Sequence, residues 1–176
     1  MNRDTNATYY ARGRKSQGQV FQARIGFDNN TSNDIGTEIK GVNELIKFDG
    51  DGLEPILQTD GTAFKIREGK IAEYNLYYLT KKDGSNWISQ EERNNADIED
   101  FNIYHTLEDI PQGYICTGIY IEANVENNAG SQNYSTGILI RMKIKDSAEI
   151  GKTYGIVHDT DYYTETSDLT TQTITN

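Results

Sequence analysis

Residues 137–145, GILIRMKIK, set Ile138, Ile140, Met142 and Ile144 against Leu139, Arg141, Lys143 and Lys145 in strict alternation. Successive side chains of an extended chain point to opposite faces, so a period of two marks a strand with one dry and one wetter face. The pattern recurs. In QVFQARIGF (19–27), Phe21, Ala23, Ile25 and Phe27 share a face. In GYICTGIYIEANVE (113–126), Ile115, Thr117, Ile119, Ile121, Ala123 and Val125 oppose Cys116, Gly118, Tyr120, Glu122 and Asn124. A helix, with its period of 3.6, would scatter these sets around its circumference. Residue usage agrees, because Ile, Val, Thr and Tyr total 54 residues while Leu and Ala total 17. β-Branched and aromatic side chains suit a pleated surface, whereas Leu and Ala favour helix.

Turn chemistry punctuates these runs. DNNTSNDIG (28–36), DGDG (49–52), Pro111 with Gly113, and NNAGSQNYS (127–135) are rich in residues that bond their own backbone or tolerate unusual φ. Asp83-Gly84 reads as a hairpin turn between EYNLYYLT and NWISQ. SQEERNNADIED is the one helix candidate, of one turn or two. The expectation is an all-β, antiparallel, Ig-like sandwich of about eight or nine strands, with a barrel as the alternative. No internal repeat is visible. The divisions read as an N-terminal arm at 1–17, a single sandwich body at 18–168 and a flexible tail at 169–176.

Charge and composition exclude several functions. The formal net charge is -10 and the isoelectric point about 4.6. A phosphate backbone needs Lys and Arg, so nucleic acid is not an expected partner. Residues 1–25 run against the trend, with Arg3, Arg12, Arg14, Lys15 and Arg24 against Asp4 alone. The two readings are a basic arm for an acidic partner and a solvated end lying beside an acidic body. No apolar run approaches the roughly 18–20 residues that span a bilayer, so no membrane insertion is expected in this segment. The opening MNRDTNATYYARGRKSQ has no apolar core of a leader peptide, and a monomeric domain of a longer chain is the expectation. One cysteine, Cys116, excludes a disulfide framework, and two histidines leave little for a His-rich metal centre.

Three groups of residues are candidate sites. Tyr77, Tyr78 and Trp87 lie on the two arms of the expected hairpin, and exposed rings there would stack on a sugar or anchor a protein. The other reading of them is packing between sheets. Asp28, Asp34, Asp49 and Asp51 stand in oxygen-rich loops that suit Ca2+, a hard cation that takes six to eight oxygens. Asp49–Asp60 does not follow the twelve-residue EF-hand pattern, and turn chemistry alone also explains these residues. Glu73 and Glu122 are conceivable acids for glycoside hydrolysis, against a solvated strand face as the plainer reading. Cys116 sits within an alternating strand and reads as a packed thiol. No nucleophile motif appears, and no enzyme activity is expected. Asn6, Asn29, Asn30 and Asn133 begin glycosylation sequons that matter only in a secreted protein of a glycosylating source.

Two stretches resemble conserved-repeat β-sandwich domains of Gram-positive surface proteins. GQVFQARIGFDNNTSNDIGTEIKGV (18–42) resembles their opening, and TGILIRMKIKDSAEIGKTYGIVHDTDY (136–162) their close. Together these cover 52 of the 176 residues. DGDGLEP stands where such domains carry a Pro-rich segment after the second strand. The resemblance implies a secreted, cell-wall-linked protein at the cell surface, in which such domains act as adhesin heads or stalk modules. It also implies a Lys–Asn isopeptide link in some relatives. Lys40 and Lys143 fall on expected strands here, but no motif places that triad. The functional expectation is a non-enzymatic surface module serving adhesion or as a structural spacer, with a host protein or glycan as partner. The alternative is a carbohydrate-binding module with an aromatic platform.

Overall fold

A strand with one dry face must lay that face on another sheet, and the chain does so. The computed structural model describes residues 3–5, 16–29, 40–57, 64–67, 71–125 and 134–163. Within them are β1 (Arg3–Thr5), β2 (Val20–Asn29), β3 (Gly41–Phe48), β4 (Leu53–Pro55), β5 (Phe64–Arg67), β6 (Ile71–Lys81), α1 (Gln90–Asn95), β7 (Phe101–Tyr104), β8 (Cys116–Val125), β9 (Tyr134–Ile144) and β10 (Ile156–Tyr163). Eight of these strands are four residues or longer, and β1 and β4 add three residues each. All pairings are antiparallel. One sheet has the order β1-β10-β3-β8-β6-β7, and the other β2-β9-β4, with β5 also on β9. Arg3–Thr5, in the segment read as an arm, is thus a strand on the edge of the larger sheet.

The sheets meet through the alternating residues. Val42, Ile46 and Phe48 of β3, Ile119, Ile121 and Ala123 of β8 and Tyr78 of β6 pack with Ile140 and Met142 of β9 and Leu53 of β4. This is an all-β antiparallel sandwich. Each fully buried side chain of this size contributes on the order of 1.5–3 kcal/mol.

The larger sheet also buries part of its outer face. Leu45, Tyr77 and Leu79 pack there under Trp87, Ala96 and Phe101. The cover is the excursion between β6 and β7. The Asp83-Gly84 turn forms, with Gly84 at φ 73, a conformation that costs glycine little. NWISQ, however, does not return as a strand, and the hairpin partner of β6 is β7, in the register Tyr78↔Tyr104 to Lys81↔Phe101. Local chemistry explains the detour. Ser89 caps α1 by accepting from the Glu92 amide at 3.1 Å, and the Glu92 carboxylate accepts from the Ile88 amide at 2.6 Å. The Trp87 indole N–H donates to the Phe48 carbonyl at 2.9 Å, and its ring meets Phe101 edge-on at 5.6 Å. The expected helix of one or two turns is α1, followed by a 3-10 turn at Ile98–Asp100.

Register defines the two ends of the sandwich. At one end Ile156 faces Phe48, Lys81 faces Phe101, Leu53 faces Ile144 and Val20 faces Lys143. The connections 49–52, 82–100, 105–115 and 145–155 close on this loop end. At the other end Tyr163 faces Gly41, Gly41 faces Asn124, and Arg3 lies beside Asp161. The chain therefore enters β1 and leaves β10 at the end opposite those four connections.

Candidate functional site

The three aromatic candidates are interior residues. Tyr77 is 2% exposed, Tyr78 3% and Trp87 8%. Alternation puts Tyr78 on the face between the sheets and Tyr77 on the outer face. Tyr77 stacks on Tyr120 at 6.2 Å and meets His105 at 5.3 Å. Rings enclosed this way offer no face for a sugar to stack on, so the platform expected of Tyr77, Tyr78 and Trp87 is replaced by packing.

The acidic candidates divide. Asp28 lies on β2 with its side chain outside the described residues, and Asp34 lies outside them altogether. Asp49 is claimed by cations and amides. Its Oδ2 lies 2.6 Å from Arg93 Nη1 and accepts from the Gly155 amide at 2.6 Å. Asp51 accepts from Lys152. A carboxylate already facing a guanidinium or an ammonium is a poor calcium ligand, because Ca2+ would have to displace that cation. Asp49 and Asp51 therefore act as ties between loops. Among the described residues no group of three or more His, Cys, Asp or Glu side chains is placed to hold a metal.

Sequence reading passed over two buried polar groups. Lys47, fully enclosed, donates to the carbonyls of Asn94 and Ala96 at 2.9 and 2.7 Å and to Asp159 at 2.8 Å. It satisfies the carbonyls at the end of α1 and so fastens that helix to the sheet. Glu44 breaks the apolar alternation Val42, Ile46, Phe48 on the inner face, which is a signal the sequence carries. Its carboxylate accepts from Thr160 Oγ1 at 2.6 Å and meets His158 Nδ1. Burial pushes the Glu44 carboxyl above the usual carboxylate range, against the lowering effect of His158 and Thr160. Thr160 donates its proton to Glu44 and is 3% exposed, so the trio joins β3 to β10. Lys143, by contrast, lies near the surface and pairs with Asp146 at 3.0 Å and Glu54 at 3.5 Å.

The remaining named residues fall in with structure. Glu122, 6% exposed, lies 3.4 Å from the Tyr77 hydroxyl, and burial raises its pKa. Glu73, exposed on β6, lies one register step away, beside Asn124. Cys116 donates from Sγ to the Gly118 carbonyl at 3.6 Å, and burial pushes its thiol up to about 12. Such a thiol is not a nucleophile at neutral pH. Neither histidine partners it: His158 is bonded to Glu44 and His105 lies against Tyr77.

What faces outward with distinct chemistry is the loop end. Ile88 is 89% exposed, Ile150 88%, Val20 43% and Tyr114 40%, which is all but Tyr74 of the large exposed hydrophobic side chains among the described residues. These loops are knitted together. The Tyr114 ring lies against Gly84, and Ile115 N donates to the Gly84 carbonyl at 2.9 Å. Gly50 lies so close to the Cys116 carbonyl that any side chain there would collide with backbone. Lys145 donates to the Gly50 carbonyl, and Asp49 N to the Gly155 carbonyl at 3.1 Å. A cleft of about 340 Å³ opens beside them, lined by Leu53, Pro55, Leu107, Ile110, Tyr114 and Lys145 among others. No family model matches the chain, and neither do any curated protein or solved structure. Among the described residues no helix is long and apolar enough to cross a membrane.

Proposed function

We propose that this chain is a non-enzymatic, Ig-like module of a secreted or cell-wall-attached bacterial surface protein, and that it serves adhesion rather than spacing. The observation that carries the choice is the register of β1 on β10, with Arg3 beside Asp161. Both ends of the path from β1 to β10 sit at one end of the sandwich, so the loop end points away from them. A module strung in series works best with entry and exit at opposite ends. One held from a single end presents its far loops to whatever is outside, and loops on a rigid scaffold are where binding residues concentrate. The extracellular and bacterial parts of the reading are supported by the two stretches that resemble Gram-positive surface domains. The purified chain on an array of host matrix proteins and glycans, with calcium and again with EDTA, tests the proposal. Saturable capture of a protein ligand in both buffers is the expected result. A folded sample that captures nothing in either buffer overturns it.

A further inference from the structure

We infer that the loop end docks a basic segment of a partner protein, one that carries apolar side chains among its lysines or arginines. This rests on the adhesion reading and names its partner.

Two observations converge. The first is the exposed apolar set, Val20, Ile88, Tyr114 and Ile150, gathered at one end. Single exposed hydrophobic residues are ordinary on a protein surface, but their confinement to one end is not, and the cleft beside them has a mixed lining, with Leu107 and Ile110 next to Glu54, Gln112 and Lys145. The cleft, at about 340 Å³, is at the small end of the roughly 300–1,000 Å³ of ligand pockets and suits a side chain or two.

The second is charge. The connections 49–52, 82–100, 105–115 and 145–155 hold twelve Asp and Glu against four Lys and Arg. With Lys81 and Lys143 of the adjoining strand ends, which pair with Glu92 and Asp83 and with Asp146, twelve stand against six, a net -6. The cations there are largely engaged, with Arg93 at Asp49, Lys152 at Asp51 and Lys145 at the Gly50 carbonyl. Glu91, Glu99 and Glu108 are exposed and have no cationic partner among the described residues. An acidic field around apolar side chains repels acidic and anionic partners and draws in basic ones. The basic partner neutralises the field, and its apolar side chains bury Ile88 and Ile150 and enter the cleft. A plain polycation would satisfy the charge and leave the isoleucines wet.

The test uses the whole chain and three synthetic peptides of equal length: lysine with leucine, lysine with serine, and glutamate with leucine. Binding is followed by calorimetry at low and physiological salt. The lysine–leucine peptide binds at least about tenfold more tightly than either control, and added salt weakens it. Replacing Ile88→Ser and Ile150→Ser together weakens that binding about fivefold or more, with the melting temperature unchanged. Equal affinity for all three peptides overturns the inference, as does indifference to the two serines. Self-association that the serines abolish also overturns it, because the occupant is then a second copy. A chain that captures an array protein but ignores the lysine–leucine peptide loses this inference and keeps the adhesion reading. A blank array with peptide binding intact does the reverse.

Discussion

Trp87 and Ile88 are neighbours in sequence and opposites in use. Trp87 is 8% exposed, with its indole bonded to the Phe48 carbonyl and its ring edge-on to Phe101. Ile88 is 89% exposed. The same contrast separates the interior from the loop end as a whole. Inside, Lys47 has three acceptors and Glu44 has a hydroxyl and an imidazole. At the loop end, Glu91, Glu99 and Glu108 face water beside uncovered isoleucines. Residue type does not separate these two regions; what is left uncovered does.

The sharpest way to break that contrast is to remove an interior partner. Lys47→Ala leaves Asp159 partly buried without its ammonium and two carbonyls at the end of α1 without a donor. It should lower unfolding free energy by about 3–5 kcal/mol. A urea titration reads this directly, and a loss below about 1 kcal/mol would mean that water reaches the site and the interior is not sealed.

A paired substitution sharpens the comparison at smaller scale. Trp87→Phe keeps a ring but orphans the Phe48 carbonyl, at a cost of about 1–3 kcal/mol. Ile88→Ser should stay within about 0.5 kcal/mol of the parent. Thermal melts of the two variants side by side check it. Equal losses would dissolve the distinction between the two residues.

The smallest effect is a pH slope. Burial raises the Glu122 pKa, so its folded form holds a proton more readily than its unfolded form. Its contribution is therefore fully present below the unfolded value and is lost as pH rises through the raised folded value. Glu122→Gln keeps an acceptor for the Tyr77 hydroxyl and removes that titration. Compared with the parent, the variant should lose less stability between pH 5 and pH 7, about 1 kcal/mol or less of difference. Parallel curves of stability against pH would show that Glu122 is not desolvated.

Much of the fold was legible because alternation is a direct record of which face is wet. GILIRMKI lies within β9, and the run from Cys116 to Val125 is β8. The β6–β7 pairing was not, because a tight turn at Gly84 suggests an immediate return, whereas the chain inserts α1 first. Nothing local in NWISQ announces that Trp87 will be drawn to a carbonyl on β3. The candidate site was barely legible. Tyr77, Tyr78 and Trp87 attract notice as aromatic residues, but burial is a property of neighbours distant in sequence. Glu44 was readable as a carboxylate in an apolar register. Ile88 and Ile150 give no such sign, since an isoleucine in a turn looks like any other.

The β1–β10 register also sets how the module answers tension. A pull between Arg3 and Tyr163 acts at the same end of an antiparallel pair, so the ladder opens one rung at a time, beginning beside Asp161. Among the described residues three residue pairs hold β1 on β10, and the next described hold along the chain is at Gly18, whose amide donates to the Ile144 carbonyl. From there the load enters at Val20, at the opposite end from Tyr163, and runs lengthwise along β2–β9 and β10–β3, where many hydrogen bonds must yield together. The short β1 pairing would give first and the long ladders would hold second.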